Sequence, residues 1–418
     1  MPNTVVESQR ELPVTHQADV VVCGGGPGGF VAAVAAGRNG ARTLLIERYG
    51  FLGGMATAGL MASFNGFRNE RPPNDLQTVQ GLAQEVVDRL IDMGGATGRT
   101  AHGDFSAELC KGHAPYAVGF DPEALKRVAQ EMCLEAGVEL LVHSWACRAL
   151  PRDEGGWCAC YESKCGRGAA AGRIVVDATA DGDIAVSAGA PYMQAKPEGE
   201  RMMPMTLMFR LAGLEPERFE GRVGGVLHGK TGVFWGPGIG GVDGTDPRDL
   251  TRAEVETRQH LWQQVEEMKQ RPGFENAYLV ETATMIGVRE TRRIRGEYVI
   301  TEQDAIEGRR FDDVIAISSN PVPGYYGKRF FFEHEGFDVP YRSLVPLVVE
   351  DMLLAGRCIS AEQVPFQSAR SMAPNMAISQ ASGTAAALCV EHAVRPRKLD
   401  VSLLQKRLLA QGAELRKG

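Results

Sequence analysis

The chain has 418 residues, 44% of them hydrophobic, with a formal net charge of -7 and a pI near 5.7. A chain of this size exceeds what one hydrophobic core usually holds, so two domains are expected. The acidic balance argues against a nucleic-acid partner, which would require a basic face for phosphates. No run reaches the roughly 18 apolar residues needed to span a bilayer. Residues 1–17 lack the basic start and apolar middle of a signal peptide, so a cytoplasmic protein without a membrane span is expected. Nine cysteines without regular spacing point to free thiols in a reducing compartment.

In chain order, residues 18–23 form a short apolar run that fits a strand buried on both faces of a parallel sheet. Gly24, Gly26 and Gly29 then make GxGxxG, with Pro27 and Gly28 inside the turn, followed by a breaker-free helix over 30–36 and a second strand over 43–46. Gly24 permits the tight turn, Gly26 lets backbone approach a pyrophosphate, and Gly29 lets helix pack on strand. The helix N-terminus faces the phosphates with unpaired N–H groups and the positive end of its dipole. Glu47 ends the second strand, where a carboxylate accepts from a ribose diol, and Arg48 follows it. The glycine pair Gly53 and Gly54 comes where an NAD-binding fold would proceed into its next helix. It implies a further backbone approach, which the longer FAD molecule needs.

The loop AHGDFSAELCKGH carries His102 and His113 on a segment suited to cover a site. Asp121 caps a helix that opens with Pro122 and aligns Leu125, Val128 and Met132 on one face. A strand over 138–146 follows, then RALP and WCACYES as a small β-meander. Cys158, Cys160 and Cys165 read as a strand entering a turn; their spacing matches no usual zinc pattern, and no metal is expected. The alanine run 169–171 is expected in a loop. After Trp235 a second GxGxxG occurs in GPGIGG, but no buried strand precedes it and VDGTDPRDL follows in place of a helix, so it reads as a loop. One dinucleotide fold is therefore expected, with none left for a nicotinamide cofactor. Residues 352–355 make another short buried strand ending at Gly356, and a small-residue helix begins near 374–376.

The succession GGGPGGF, ERYGFLGG, DATADGD, LLAGRCIS and QASGTAAAL resembles the FAD-dependent oxidoreductases of the glutathione-reductase-like flavoprotein fold, over most of the chain. The resemblance implies an α/β fold: a Rossmann-like FAD-binding domain with parallel sheet and β-meander over 17–62, 121–190 and 343–418, plus a discontinuous mixed α+β substrate or cap domain over 63–120 and 191–342. It assigns Gly24, Gly26 and Gly29 to the pyrophosphate, Glu47 to the ribose, Gly53 and Gly54 to the flavin side of the phosphates, and backbone of Ala146 to adenine. Ala180 and Asp181 come close to the cofactor where the meander rejoins the sheet. Gly356 and Arg357 stand where many relatives have Gly-Asp; arginine cannot accept a hydrogen bond, so backbone does more there or Arg357 contacts a phosphate. The last helix, through Asn375 and Met376, directs its N-terminus at the flavin. Its residues Asn375 and Ser379 replace a cysteine and a Gly-Gln pair of many relatives.

Oxidation by hydride transfer to flavin N5 needs a base for the proton and, for an acidic substrate, a cation. RETRRIR offers Arg289, Arg292, Arg293 and Arg295, and SARSM offers Arg370; Arg293 with Arg370 would clamp a carboxylate in a two-point fork. Glu333, His334 and Tyr341 in FFEHEGFDVPYRSL are candidate bases, beside His102 and His113. The expected protein is an FAD-dependent dehydrogenase or oxidase of a small organic substrate, anionic if the arginines act as a clamp, with an unidentified electron acceptor. A flavin electron-transfer subunit and a flavin monooxygenase are the alternatives. No four-cysteine iron–sulfur motif favours the former, and no second nucleotide fold favours the latter.

Overall fold

The computed structural model describes Val5, Glu7 and residues 9–97, 99–100, 103–104, 110–194, 203–220, 224–325 and 328–416. Its largest sheet orders Glu139–Leu141, Thr43–Ile46, Val14–Cys23 and Gly166–Asp177 as parallel neighbours. Gly166–Asp177 is long enough to serve two partners. Its first half pairs antiparallel with Trp157–Ser163, which pairs with Trp145–Pro151; its last three residues pair in parallel with Met352–Leu354. The parallel sheet and the meander therefore share one strand.

The burial pattern explains the apolar runs. Val20 and Val22 face one core with the helix Pro27–Arg38 and the C-terminal helix Met372–Glu391, while Val21 and Cys23 face another with the meander and Ile184. All four strand residues are fully buried, and each large apolar side chain so placed contributes about 1.5–3 kcal/mol. Gly383 lets the C-terminal helix press on the first helix: a Cβ there would lie 2.0 Å from the Ala32 carbonyl oxygen. The small-residue face thus serves helix-on-helix contact more than contact with the sheet.

The capping expectation at Asp121 holds: its carboxylate accepts from the Glu123 N–H at 3.1 Å, opening the helix Pro122–Glu135. Four local readings need correction. Residues 145–146 belong to the outer meander strand rather than to the strand before it. The alanine run 169–171 lies buried in Gly166–Asp177, because strands on both sides pair with it. The last helix begins two residues earlier than expected, at Met372. The segment GPGI after Trp235 continues the antiparallel strand Thr231–Ile239, whose Gly238 pairs with Thr206. Residues 158–165 do form a strand entering a turn.

A second layer is a four-stranded antiparallel sheet, ordered Gly225–His228, Thr231–Ile239, Met205–Ala212 and Tyr278–Thr282. The helix Pro247–Lys269 packs on it, with Leu261 and Val265 meeting Phe209, Phe234 and Phe274. By contrast, Phe64, Val86, Ile315 and Val339 join the main core. No helix among the described residues is long and apolar enough to cross a membrane.

Candidate functional site

Three backbone segments converge at the C-terminal end of the parallel strands, the place where open α/β sheets bind ligands. Gly24 turns at φ 102, and a Cβ there would strike the Ala178 carbonyl oxygen at 2.5 Å. Gly29 has less room, since its Cβ would lie 1.7 Å from the Gly24 oxygen. The second loop locks onto the first: Gly53 N–H donates to the Gly25 carbonyl at 2.8 Å, and a Cβ on Gly54 would approach Gly26 Cα to 2.8 Å. The third segment joins through Gly28, whose Cβ would meet Ser379 Oγ at 2.6 Å, Asn375 Oδ1 at 2.7 Å and Gly356 Cα at 3.0 Å. Gly356 N–H in turn donates to Ser379 Oγ at 3.1 Å.

Gly26 and Gly356 differ from these packed glycines. A Cβ on either would find no protein atom nearer than 4.0 Å and would project into open space. Both line a cavity of about 350 Å³, as do Pro27, Gly28, Ala180, Ser371 and Asn375. Helix N-termini at Pro27 and Met372 border it, and neither has a side-chain cap, so first-turn N–H groups are left for a ligand. Met61, Tyr116, Trp235, Asn320 and Arg329 line it as well.

The carboxylate of Glu47 is buried against the turn, accepting from Gly25 N–H at 2.6 Å and Tyr49 N–H at 2.9 Å. Arg48 lies outside it on the surface, its guanidinium 4.9 Å from the Tyr49 ring and 5.7 Å from the Trp145 ring, beside the buried Ala146. Asp181 is drawn into a different network: it accepts from Thr291 Oγ1 at 2.5 Å and from Arg357 Nη2 at 2.6 Å. The other terminal nitrogen of Arg357, Nη1, is sealed from solvent with no partner. Met376 is wholly buried in the main core, so its side chain faces away, while Met372 lines the cavity.

The expected catalytic set comes apart. Arg370 lines the cavity; its Nε is sealed and without a partner, and burial, then the nearby Arg289 cation, lowers its pKa to about 10. Arg293 does not join it. Its guanidinium donates to the Ala361 carbonyl at 3.3 Å and lies 5.6 Å from the Phe366 ring, because its strand Arg292–Ile294 pairs with Tyr192–Gln194 away from the cavity wall. Arg289, also in RETRRIR, lines the cavity in its place.

Tyr341 is a core residue, donating to the Pro396 carbonyl at 2.9 Å, and burial pushes its pKa well above the ordinary value. His334 shapes a turn, with Nδ1 accepting from Gly336 N–H at 3.1 Å and Nε2 3.0 Å from the Ile306 carbonyl. Glu333 is exposed, and His113 is exposed beside Arg68. None of these four lines the cavity; His102 lies outside the described residues.

Sequence reasoning missed Tyr116, Asn320 and Arg329. Tyr116 donates to Asn320 Oδ1 at 2.8 Å and accepts from Arg329 Nη2 at 3.1 Å, and burial raises its pKa. No spacing joins residues 204 positions apart, so nothing local could have signalled them.

A cofactor fits this geometry on three observations. Two glycines leave side-chain space open at the cavity wall, two helix N-termini border it, and a buried guanidinium nitrogen faces no partner. Matching short stretches occur in dihydrolipoyl dehydrogenases. That of Trypanosoma brucei brucei is 50% identical over 46 residues, 11% of this chain and 10% of that protein. That of Dictyostelium discoideum is 55% identical over 40 residues, 10% of this chain and 8% of that protein. The matched part spans about a tenth of these relatives. Among solved structures, a p-nitrophenol 4-monooxygenase of Pseudomonas putida is similar with a TM-score of 0.49 at 12% identity, covering 91% of this chain and 82% of that one. A geranylgeranyl bacteriochlorophyll reductase-like protein of Thermoplasma acidophilum gives 0.47 at 15%, covering 96% and 85%. The family model described as FAD dependent oxidoreductase matches residues 19–236 and 222–408, taking in the glycine turn and the C-terminal helix alike. The chain accordingly belongs to the FAD-dependent oxidoreductase family, an enzyme with FAD as its cofactor.

Proposed function

We propose that this enzyme is a dehydrogenase or oxidase of a small organic substrate seated between the glycine cradle and the cap, where bound FAD would supply a hydride acceptor. The observation that carries this reading is that one cavity is lined together by Gly26, Gly356, two helix N-termini, Arg370, Tyr116 and Trp235. Gly26 and Gly28 would hold the pyrophosphate by backbone, and Glu47 would hold the adenosine ribose with its remaining lone pairs. Gly356 and the first turn of Met372–Glu391 would support the flavin ring, where the helix dipole favours negative charge.

The chain's own groups orient the substrate and limit water. Arg370 presents a charge-assisted donor at the helix start, and Tyr116 a neutral hydroxyl fixed between Asn320 and Arg329. The apolar side chains of Met61 and Trp235 keep that end of the cavity dry.

The test is anaerobic titration of the yellow holoenzyme with a panel of hydroxy acids, amines, amino acids and sugars. Bleaching of the flavin band by one class, reversed by oxygen or an artificial acceptor, is expected. Oxygen consumption coupled to substrate hydroxylation would assign a monooxygenase instead, and no bleaching by any class would favour an electron-transfer subunit.

A further inference from the structure

The cavity wall carries positive charge that no carboxylate among the described residues fully neutralises. Four arginines border it: Arg289, Arg329, Arg357 and Arg370. Arg329 is paired with Glu70, and Arg357 with Asp181 at 2.6 Å. Arg289 donates only to the Pro204 carbonyl, and Nε of Arg370 is sealed and unpaired, so neither has a carboxylate partner among the described residues. Glu290, the acid whose field reaches Arg370, is occupied by the Met203 N–H at 2.5 Å and by Gln363. Among the described residues the lining includes no Asp, Glu, His, Lys or Cys.

A guanidinium with Nε sealed from water and no counter-charge is costly to hold, and an arriving anion lowers that cost. The rest of the lining restricts what that anion is attached to. Met55, Met61, Trp235, Pro321 and Pro323 give an apolar wall suited to hydrocarbon or an aromatic ring. A doubly charged phosphate would lose more hydration here than a carboxylate does, whereas the planar guanidinium fork matches a carboxylate in two-point contact.

We infer that the substrate is a carboxylic acid with an apolar body, its carboxylate held by Arg289 and Arg370 and its hydrocarbon part lying against Trp235, Met61 and Pro323. This rests on the reading of the cavity as the substrate site of the FAD enzyme. It replaces the Arg293–Arg370 clamp with a pair that shares one wall.

The experiment uses the FAD-loaded enzyme and measures binding by quenching of Trp235 fluorescence and by perturbation of the flavin spectrum, with W235F as the control for the indole signal. The probes are benzoate, acetate, benzyl alcohol and inorganic phosphate. Benzoate is expected to bind at least about tenfold more tightly than the other three. R370M and R289M are each expected to weaken benzoate about 10–100-fold while flavin content stays at the wild-type level. Benzyl alcohol or phosphate binding as tightly as benzoate would overturn the inference, as would benzoate binding unchanged in both variants. Loss of flavin from both variants would overturn it too, by assigning the arginines to the cofactor. Should R370M not fold, R289M decides by the same criteria. A chain that takes up no flavin at all shows this in its absorbance before any acid is added, and overturns the oxidoreductase reading itself.

Discussion

Gly28 and Asn375 meet through the absence of a side chain: a Cβ on Gly28 would lie 2.7 Å from Asn375 Oδ1. The first glycine turn and the start of the last helix are held together there, although the two residues are 347 positions apart in the chain. Gly26, two positions earlier, makes no such contact, and its open side is the cavity.

This contrast separates packing glycines from ligand glycines. G28A is expected to destabilise the flavin-free protein by about 1–3 kcal/mol, as overpacking does. G26A is expected to leave that stability within about 0.5 kcal/mol and yet to lose FAD. Denaturant titration of the apoprotein, paired with flavin absorbance after reconstitution, reads both; full flavin retention in G26A would remove the pyrophosphate from this turn.

Glu47 accepts two backbone N–H bonds in a buried position. E47Q turns one acceptor oxygen into a donor facing another donor, which costs about 1–3 kcal/mol. Lower stability with and without FAD, together with weaker FAD retention, is expected. A variant as stable as the wild type would show that these two bonds do not hold the turn.

The Arg370 cation is depressed to about pH 10 by burial and by the neighbouring Arg289 charge. Even so lowered, the guanidinium is fully charged below about pH 9 and able to bind an anion, so affinity for benzoate is expected to be level from pH 7 to about 9. An affinity that declined toward low pH over the same range, or none measurable at any pH, would contradict this assignment.

Y341F and H334A test two residues that chemistry alone would nominate. Y341F leaves the Pro396 carbonyl without its donor and H334A removes the turn contact at Gly336, so each is expected to cost about 1 kcal/mol of stability. With neither side chain on the cavity wall, kcat is expected to stay within twofold of wild type. A hundredfold fall in either would restore that residue as a base.

The glycine cradle was legible because its causes are local. A strand, a glycine turn and a helix behind it occupy residues 14–38, and the tightest steric reason, Gly29 against the Gly24 carbonyl, operates within that stretch. The same holds for the Asp121 cap and the buried apolar runs. Residues 169–171 misled because alanine is indifferent to strand or loop until partners arrive, and those partners are residues 14–17 and 158–160.

By itself the sequence determined the cofactor, through backbone conformations that a dinucleotide requires. Only the tertiary structure decided which side chains face it. Arg289 and Arg293 sit four residues apart in one charged run, and strand pairing sends one to the cavity wall and the other against Phe366. Tyr116, Asn320 and Arg329 come together from distant segments. A cofactor turn is announced by the spacing of glycines between a strand and a helix, whereas a wall of side chains is assembled from residues whose neighbours exist only after folding.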